Sequence, residues 1–144
     1  MPNVHCPSCG HQFKAVKCRC SGYIHSAEAW KLGRWDWSWL TSAFTDGVRV
    51  MDVDALVERN GRFLAFETKA SGVAVPRGQR LALERMARLP EFTVAVLQGD
   101  PDEPMQMELI GTGNAKPCSQ DSVWNYAADW WQRTSAMPPR RLAS

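Results

Sequence analysis

The chain has 144 residues, 44% of them hydrophobic, enough for one modest core and too few for two ordinary domains. Its formal charge of +2 excludes a polyanion-binding surface spread over the whole molecule, so any such surface must come from local clusters. No apolar run approaches the about 18 residues of a membrane span, and the N-terminus lacks the basic-then-apolar layout of a secretory signal, so the expectation is a soluble, cytoplasmic protein without a membrane partner.

The basic residues are grouped. Residues 1–27 carry Lys14, Lys17 and Arg19 and no acid, and residues 77–88 hold Arg77, Arg80, Arg85 and Arg88 against Glu84 alone. Cysteines are grouped too: of five, Cys6, Cys9, Cys18 and Cys20 fall within fifteen residues, which suits a metal knuckle in a reducing compartment more than a disulfide framework. Four thiolates suit tetrahedral Zn²⁺, and Gly10, after the Cys6-x-x-Cys9 pair, can take the positive φ that such a turn often needs. The segment resembles a zinc ribbon. The second pair, Cys18-Arg19-Cys20, is tighter than usual, so His5, His11 or His25 can substitute as the fourth ligand; the opposing reading is a set of reduced cysteines without metal. A four-ligand zinc has no open position for water and would be structural, supplying folding energy. Cys118 stands alone and is expected as a free thiol.

Ser26 to Leu32 reads as a first helix. Trp35, Trp37 and Trp39 alternate as one buried strand face would, or as a wall for unpaired bases, where stacking is worth about 1–3 kcal/mol per base.

From Val48 to Lys69 two β-rich runs meet at Asn60-Gly61, the strongest short-range hairpin signal, because both central residues of a type I′ turn need positive φ. If Asn60 and Gly61 are the two loop residues, Arg59 pairs with Arg62, and counting outward sets Asp54 opposite Glu67 and Asp52 opposite Lys69, all on one side of the sheet. Val53, Ala55, Val57, Leu64 and Phe66 form an apolar face, and Leu56, Phe63 and Ala65 make the other face partly apolar, so the pair is expected to be covered on both sides. Two carboxylates facing each other there repel and are costly unless something positive sits between them. A divalent cation with oxygen ligands, Mg²⁺ or Mn²⁺, would meet that need.

An Asp on a strand, a turn, and Glu-x-Lys on the next strand resemble the core of the PD-(D/E)XK nucleases over roughly residues 48–97. The resemblance implies that Asp54, Glu67 and the backbone amide oxygen of Thr68 hold the metal and that Lys69 positions the attacking water and offsets charge on the phosphate. It also implies a helper in Gln79, at the start of the following helix, and in Glu28, on the first. No proline precedes the Asp, so Asp52 competes with Asp54 for the role; Asp52 can instead ion-pair with Lys69, a purely structural arrangement.

Downstream, a helix is expected from Pro76 to about Leu89, with Pro90 closing it, and its arginines can meet phosphates or simply be solvated. Phe92–Leu97 fits a buried strand, Gly99-Asp100-Pro101 a turn, and Met105–Ile110 an edge strand. Val123, Tyr126, Ala127, Trp130 and Trp131 fall at helical spacing, a stripe that covers the sheet or meets a second copy in a homodimer. The last residues look like a disordered tail, with Arg140 and Arg141 available to phosphate.

The expected organisation is a zinc knuckle over residues 1–25, an α/β domain over 26–135 with a mixed central sheet flanked by helices, restriction-endonuclease-like, and a tail over 136–144. The function it implies is metal-dependent hydrolysis of phosphodiester bonds in double-stranded or branched DNA, like the small nucleases of phages. Two rivals stand beside it: an inactive zinc-ribbon DNA-binding or adaptor protein that keeps the nuclease fold, and a metal-independent structural protein whose hairpin acids pair with Lys69 and arginines.

Overall fold

The computed structural model describes residues 37–44, 46 and 48–141, with the backbone of Val4–His5 and Gln12–Phe13. The chain divides into two compact units, Met1–Thr45 and Asp46–Ser144. In the first, β1 (Val4–His5) pairs antiparallel with β2 (Gln12–Phe13), and a short helix α1 spans Ser38–Thr41. Cys6, Cys9, Cys18, Cys20, the alternative ligands His11 and His25, the helix expected at Ser26–Leu32 with Glu28, and Trp35 lie outside the described residues. Trp37 and Trp39 are not on a strand. Trp37 caps α1 and Trp39 lies within it, their ring centroids 6.5 Å apart and both rings exposed. Period two alone does not make a strand: the Trp37 carbonyl accepts from the Leu40 and Thr41 amides, and these bonds close a helical turn there.

The second unit holds a five-stranded sheet in the order β3 (Ala55–Arg59), β4 (Arg62–Lys69), β5 (Phe92–Asp100), β6 (Glu103–Leu109), β7 (Lys116–Pro117). β4 and β5 are parallel, joined by helix α2 (Arg77–Ala87), and the other neighbours are antiparallel. A second long helix, α3 (Gln120–Ala136), follows β7 and opens on a capping box between Ser119 and Ser122. The unit is therefore α/β, a mixed sheet with flanking helices.

The hairpin register is the one the Asn-Gly turn dictates: Arg59 faces Arg62, Val57 faces Leu64 and Ala55 faces Phe66. Asn60 and Gly61 sit at φ 53° and 73°, as a type I′ turn requires. Alternation along β4 then sends Phe63, Ala65 and Glu67 to one side and Leu64 and Phe66 to the other. On the first side Ala65, Val94, Val96 and Ile110 pack with Leu83 of α2, and Phe63 stacks on Phe92 at 4.8 Å. On the other, α3 contacts β3, β4 and β6, with Trp130 and Thr134 buried. Leu64 and Val94 are the largest fully buried side chains, each worth about 1.5–3 kcal/mol of burial.

Three boundaries differ from expectation. β3 is an edge strand, so Leu56 and Val57 are exposed and, of the two hairpin strands, β4 alone is covered on both faces. β5 runs on through Gly99 and Asp100, across a register shift at Gln98/Gly99, and the turn falls at Pro101-Asp102. A Cβ on Gly99 would lie 2.9 Å from the Met105 nitrogen and the Pro104 Cα, so this glycine admits the close approach of β6 and does not make the turn. β6 is not an edge, because β7 pairs with it at Gln106 and Met107.

Residues 137–140, where composition suggests a disordered tail, lie over the hairpin turn. The Arg140 amide donates to the Asn60 carbonyl at 3.0 Å, and Arg62 donates to the Pro138 carbonyl at 3.1 Å.

Candidate active site

Glu67 lies near the end of β4, on the α2 side of the sheet and only 4% exposed. A carboxylate at that depth must be paired. Its Oε1 accepts from Lys69 Nζ at 2.6 Å and from Gln79 Nε2 at 2.6 Å. Lys69 reaches it because residues two apart on a strand share a face. Gln79 reaches it because of α2: Leu83, one turn on, is buried in the core, so the face of the helix bearing Leu83 and Gln79 looks at the sheet. The connection between β4 and α2 is tied down by Gln98, whose amide donates to the Val73 carbonyl at 2.8 Å.

Asp54 is placed differently from expectation. The ladder ends at Ala55, and the exposed Asp54 carboxylate turns to Thr68, accepting from its backbone N–H and its hydroxyl, both at 2.7 Å. The repulsion expected across the hairpin is thus removed by geometry, with Lys69 supplying the positive charge beside Glu67. Nor does Asp52 take Lys69, whose ammonium goes to Glu67.

Next to this cluster lies a pairing that the sequence did not reveal. Arg80 makes a two-pronged contact with Glu108 of β6, at 2.7 and 2.5 Å, and a third bond to Glu84 at 3.0 Å. These carboxylates, Glu108 first, hold the Arg80 guanidinium even further above its already high range. The only local signal was the Arg80–Glu84 spacing of one turn; Glu108 is brought in by sheet order. Register partners then form two rows on this face, Glu67–Val96–Glu108 and Lys69–Gln98–Gln106. Consecutive helix residues, Gln79 and Arg80, reach the acids on either side of Val96. Between them, Val75, Arg80, Val96, Gln98, Gln106 and Glu108 help line a cavity of about 240 Å³.

No family model, curated protein or solved structure matches this chain. The site must therefore be judged on its own chemistry. Among the described residues no group of three or more His, Cys, Asp or Glu side chains is placed to hold a metal ion. A cation that keeps most of its waters needs only one or two carboxylates. Glu67 Oε2 and Asp54 Oδ1 take no part in the bonds above, and as hard oxygens they fit Mg²⁺ or Mn²⁺ in donor type. Of the expected set, the structure brings together Glu67, Lys69 and Gln79, and links Asp54 to Thr68 at the adjoining strand end.

Proposed function

We propose that the chain is a Mg²⁺- or Mn²⁺-dependent DNA nuclease with a restriction-endonuclease-like PD-(D/E)XK site made of Asp54, Glu67, Lys69 and Gln79. The observation that carries this reading is the buried Glu67 carboxylate gripped through one oxygen by Lys69 and Gln79. That grip leaves the second oxygen aimed by two fixed donors, which suits a ligand more than a solvated strand acid. Asp54 Oδ1, Glu67 Oε2 and the Thr68 carbonyl would hold the cation, which when bound supplies Lewis-acid activation of water and of the scissile phosphodiester.

The chain's own residues do the rest. Gln79 fixes the orientation of the Glu67 carboxylate. An ammonium has three donors, so Lys69 keeps Glu67 with one and offers the others to an attacking water or a phosphate oxygen, where its charge stabilises the negative transition state. DNA, double-stranded or branched, is the substrate class. A structural zinc on Cys6, Cys9, Cys18 and Cys20 belongs to the same proposal and rests on their spacing.

A second reading has an observation of its own. Lys69 and Gln79 close on the same oxygen, a network already satisfied without a cation, as an inactive DNA-binding or adaptor protein would have. Cleavage of linear, circular and branched DNA with Mg²⁺ separates the two. Lys69→Ala is expected to lower the rate at least about 100-fold, the low end for loss of one donor to transition-state charge, and Glu67→Ala, which removes a proposed cation ligand, at least as much. Equal cleavage by the variants sinks the assignment, and DNA binding without any cleavage favours the adaptor.

A further inference from the structure

The cavity beside Glu67 is not used by the proposed chemistry, yet it adjoins it: Val96 and Gln98 in its floor are the register partners of Glu67 and Lys69. Its size, about 240 Å³, is below the roughly 300–1,000 Å³ of sites that enclose drug-sized ligands, so it admits one flat ring system and little more. Its charge is balanced. The guanidinium in its wall is spent on Glu108 and Glu84, which disfavours a phosphate and favours a neutral guest. Val75, Val96, Ala74 and Ala115 offer apolar surface for the faces of a ring.

The polar groups sort by type. Gln98 has committed one of its two side-chain N–H groups to the Val73 carbonyl, and keeps its oxygen as an acceptor beside the second N–H. Both Glu108 oxygens accept from Arg80 and each retains a second lone pair. Gln106 adds an amide able to give and take at once. The acceptor-only group on this rim is the Glu108 carboxylate, which suits a heterocycle with an exocyclic amine and repels the carbonyl that thymine presents instead; glutamate to cytosine N4 and glutamine to adenine N6 and N7 are the matching pairings.

We infer that this cavity binds one unpaired nucleobase carrying an exocyclic amino group, cytosine or adenine in preference to thymine, from the strand held at the Glu67–Lys69 site. The inference rests on the nuclease reading for its source of bases. A base reaches into such a recess only when it is out of the stack, so the ligand is a single-stranded segment or an extruded nucleotide.

The test is a titration of the full chain without added Mg²⁺, followed by amide NMR signals, with short oligo-dC, oligo-dT, the corresponding duplex and dCMP. Oligo-dC should bind at least about fivefold tighter than oligo-dT, the low end of what one good base contact gives. The signals that move should include Val75, Gln98 and Ala115. Gln106→Ala should erase most of that preference, and Ala115→Trp, which fills the cavity, should abolish it. If Ala115→Trp fails to fold, Gln106→Ala decides alone. Equal affinity for dC and dT, or a preference untouched by Gln106→Ala, overturns the inference; dCMP binding as tightly as oligo-dC also overturns it, in favour of a free nucleotide. Because nothing is cleaved, these outcomes stay separate from the fate of Glu67→Ala in the nuclease assay.

Discussion

A carboxylate that is 4% exposed cannot carry an unpaired charge, and Glu67 meets that demand through a single oxygen. Removing the Lys69 ammonium would leave Gln79, a neutral donor, as its one partner among these bonds. Lys69→Ala should therefore cost about 1–3 kcal/mol of stability, the usual penalty for stripping a buried polar group of its partner. The cost stays below the about 3–5 kcal/mol of a fully buried pair because the Lys69 side chain is 19% exposed and water can follow it in. A lower urea midpoint with unchanged slope is the expected result, and Glu67→Gln in the Lys69→Ala background should recover part of the loss by removing the charge. A midpoint equal to that of the parent protein would mean that the pair is solvated and contributes nothing. The measurement also fixes the temperature range in which a loss of cleavage by Lys69→Ala can be read as chemistry.

At the scale of elements, the hairpin owes its geometry to two neighbouring segments. Asn60 supplies positive φ, and its side-chain amide donates to the carbonyls of Thr134 and Met137, both at 3.0 Å, binding the turn to the end of α3. Arg140 adds its amide to Asn60 and an ion pair to Glu91. Asn60→Gly keeps the backbone conformation and deletes only the side-chain bonds, so it should destabilise by about 1–2 kcal/mol, two ordinary hydrogen bonds less the relief of strain at φ 53°. Faster hydrogen exchange at the Arg59 and Arg62 amides, the pair that flanks the turn, would report it; exchange as slow as in the parent protein would show that the strap does not hold the turn. Much of this element was legible in the sequence, since an Asn-Gly turn fixes every pairing up to Ala55–Phe66. The pairing of Asp54 with Glu67 was not, because the ladder stops one residue short and a free carboxylate finds backbone and hydroxyl donors at Thr68. Gln79 was named through the family resemblance alone, and its place one turn before the buried Leu83 is what turns it to the sheet. Arg80–Glu108 was not legible, since it depends on the face on which α2 packs and on a strand register that shifts at Gln98/Gly99, neither of which a local pattern gives. The turn expected at Gly99 failed for a related reason: glycine serves close strand approach as readily as turns.

For the whole molecule, a net charge of +2 gives little general attraction to DNA, so the proposed nuclease would draw its affinity from where the charges sit. On α2, Arg77, Arg85 and Arg88 are exposed and recur at spacings that keep them on the outer face with Leu81, while Arg80 on the inner side is consumed by Glu108 and Glu84. Each phosphate that an arginine neutralises steepens the fall of log affinity with log salt by about 0.9. Replacing all three by glutamine should therefore make that slope shallower by up to about 3, and should weaken binding alike for every sequence, as backbone contacts do. That uniformity distinguishes them from Gln106, whose loss should alter the preference between bases and leave the salt slope in place. Filter binding or fluorescence anisotropy across a salt series measures both. If the triple variant keeps the parent slope, the outer face of α2 is merely solvated, and the duty falls to the acid-free stretch bearing Lys14, Lys17 and Arg19, where the same substitution series can be repeated.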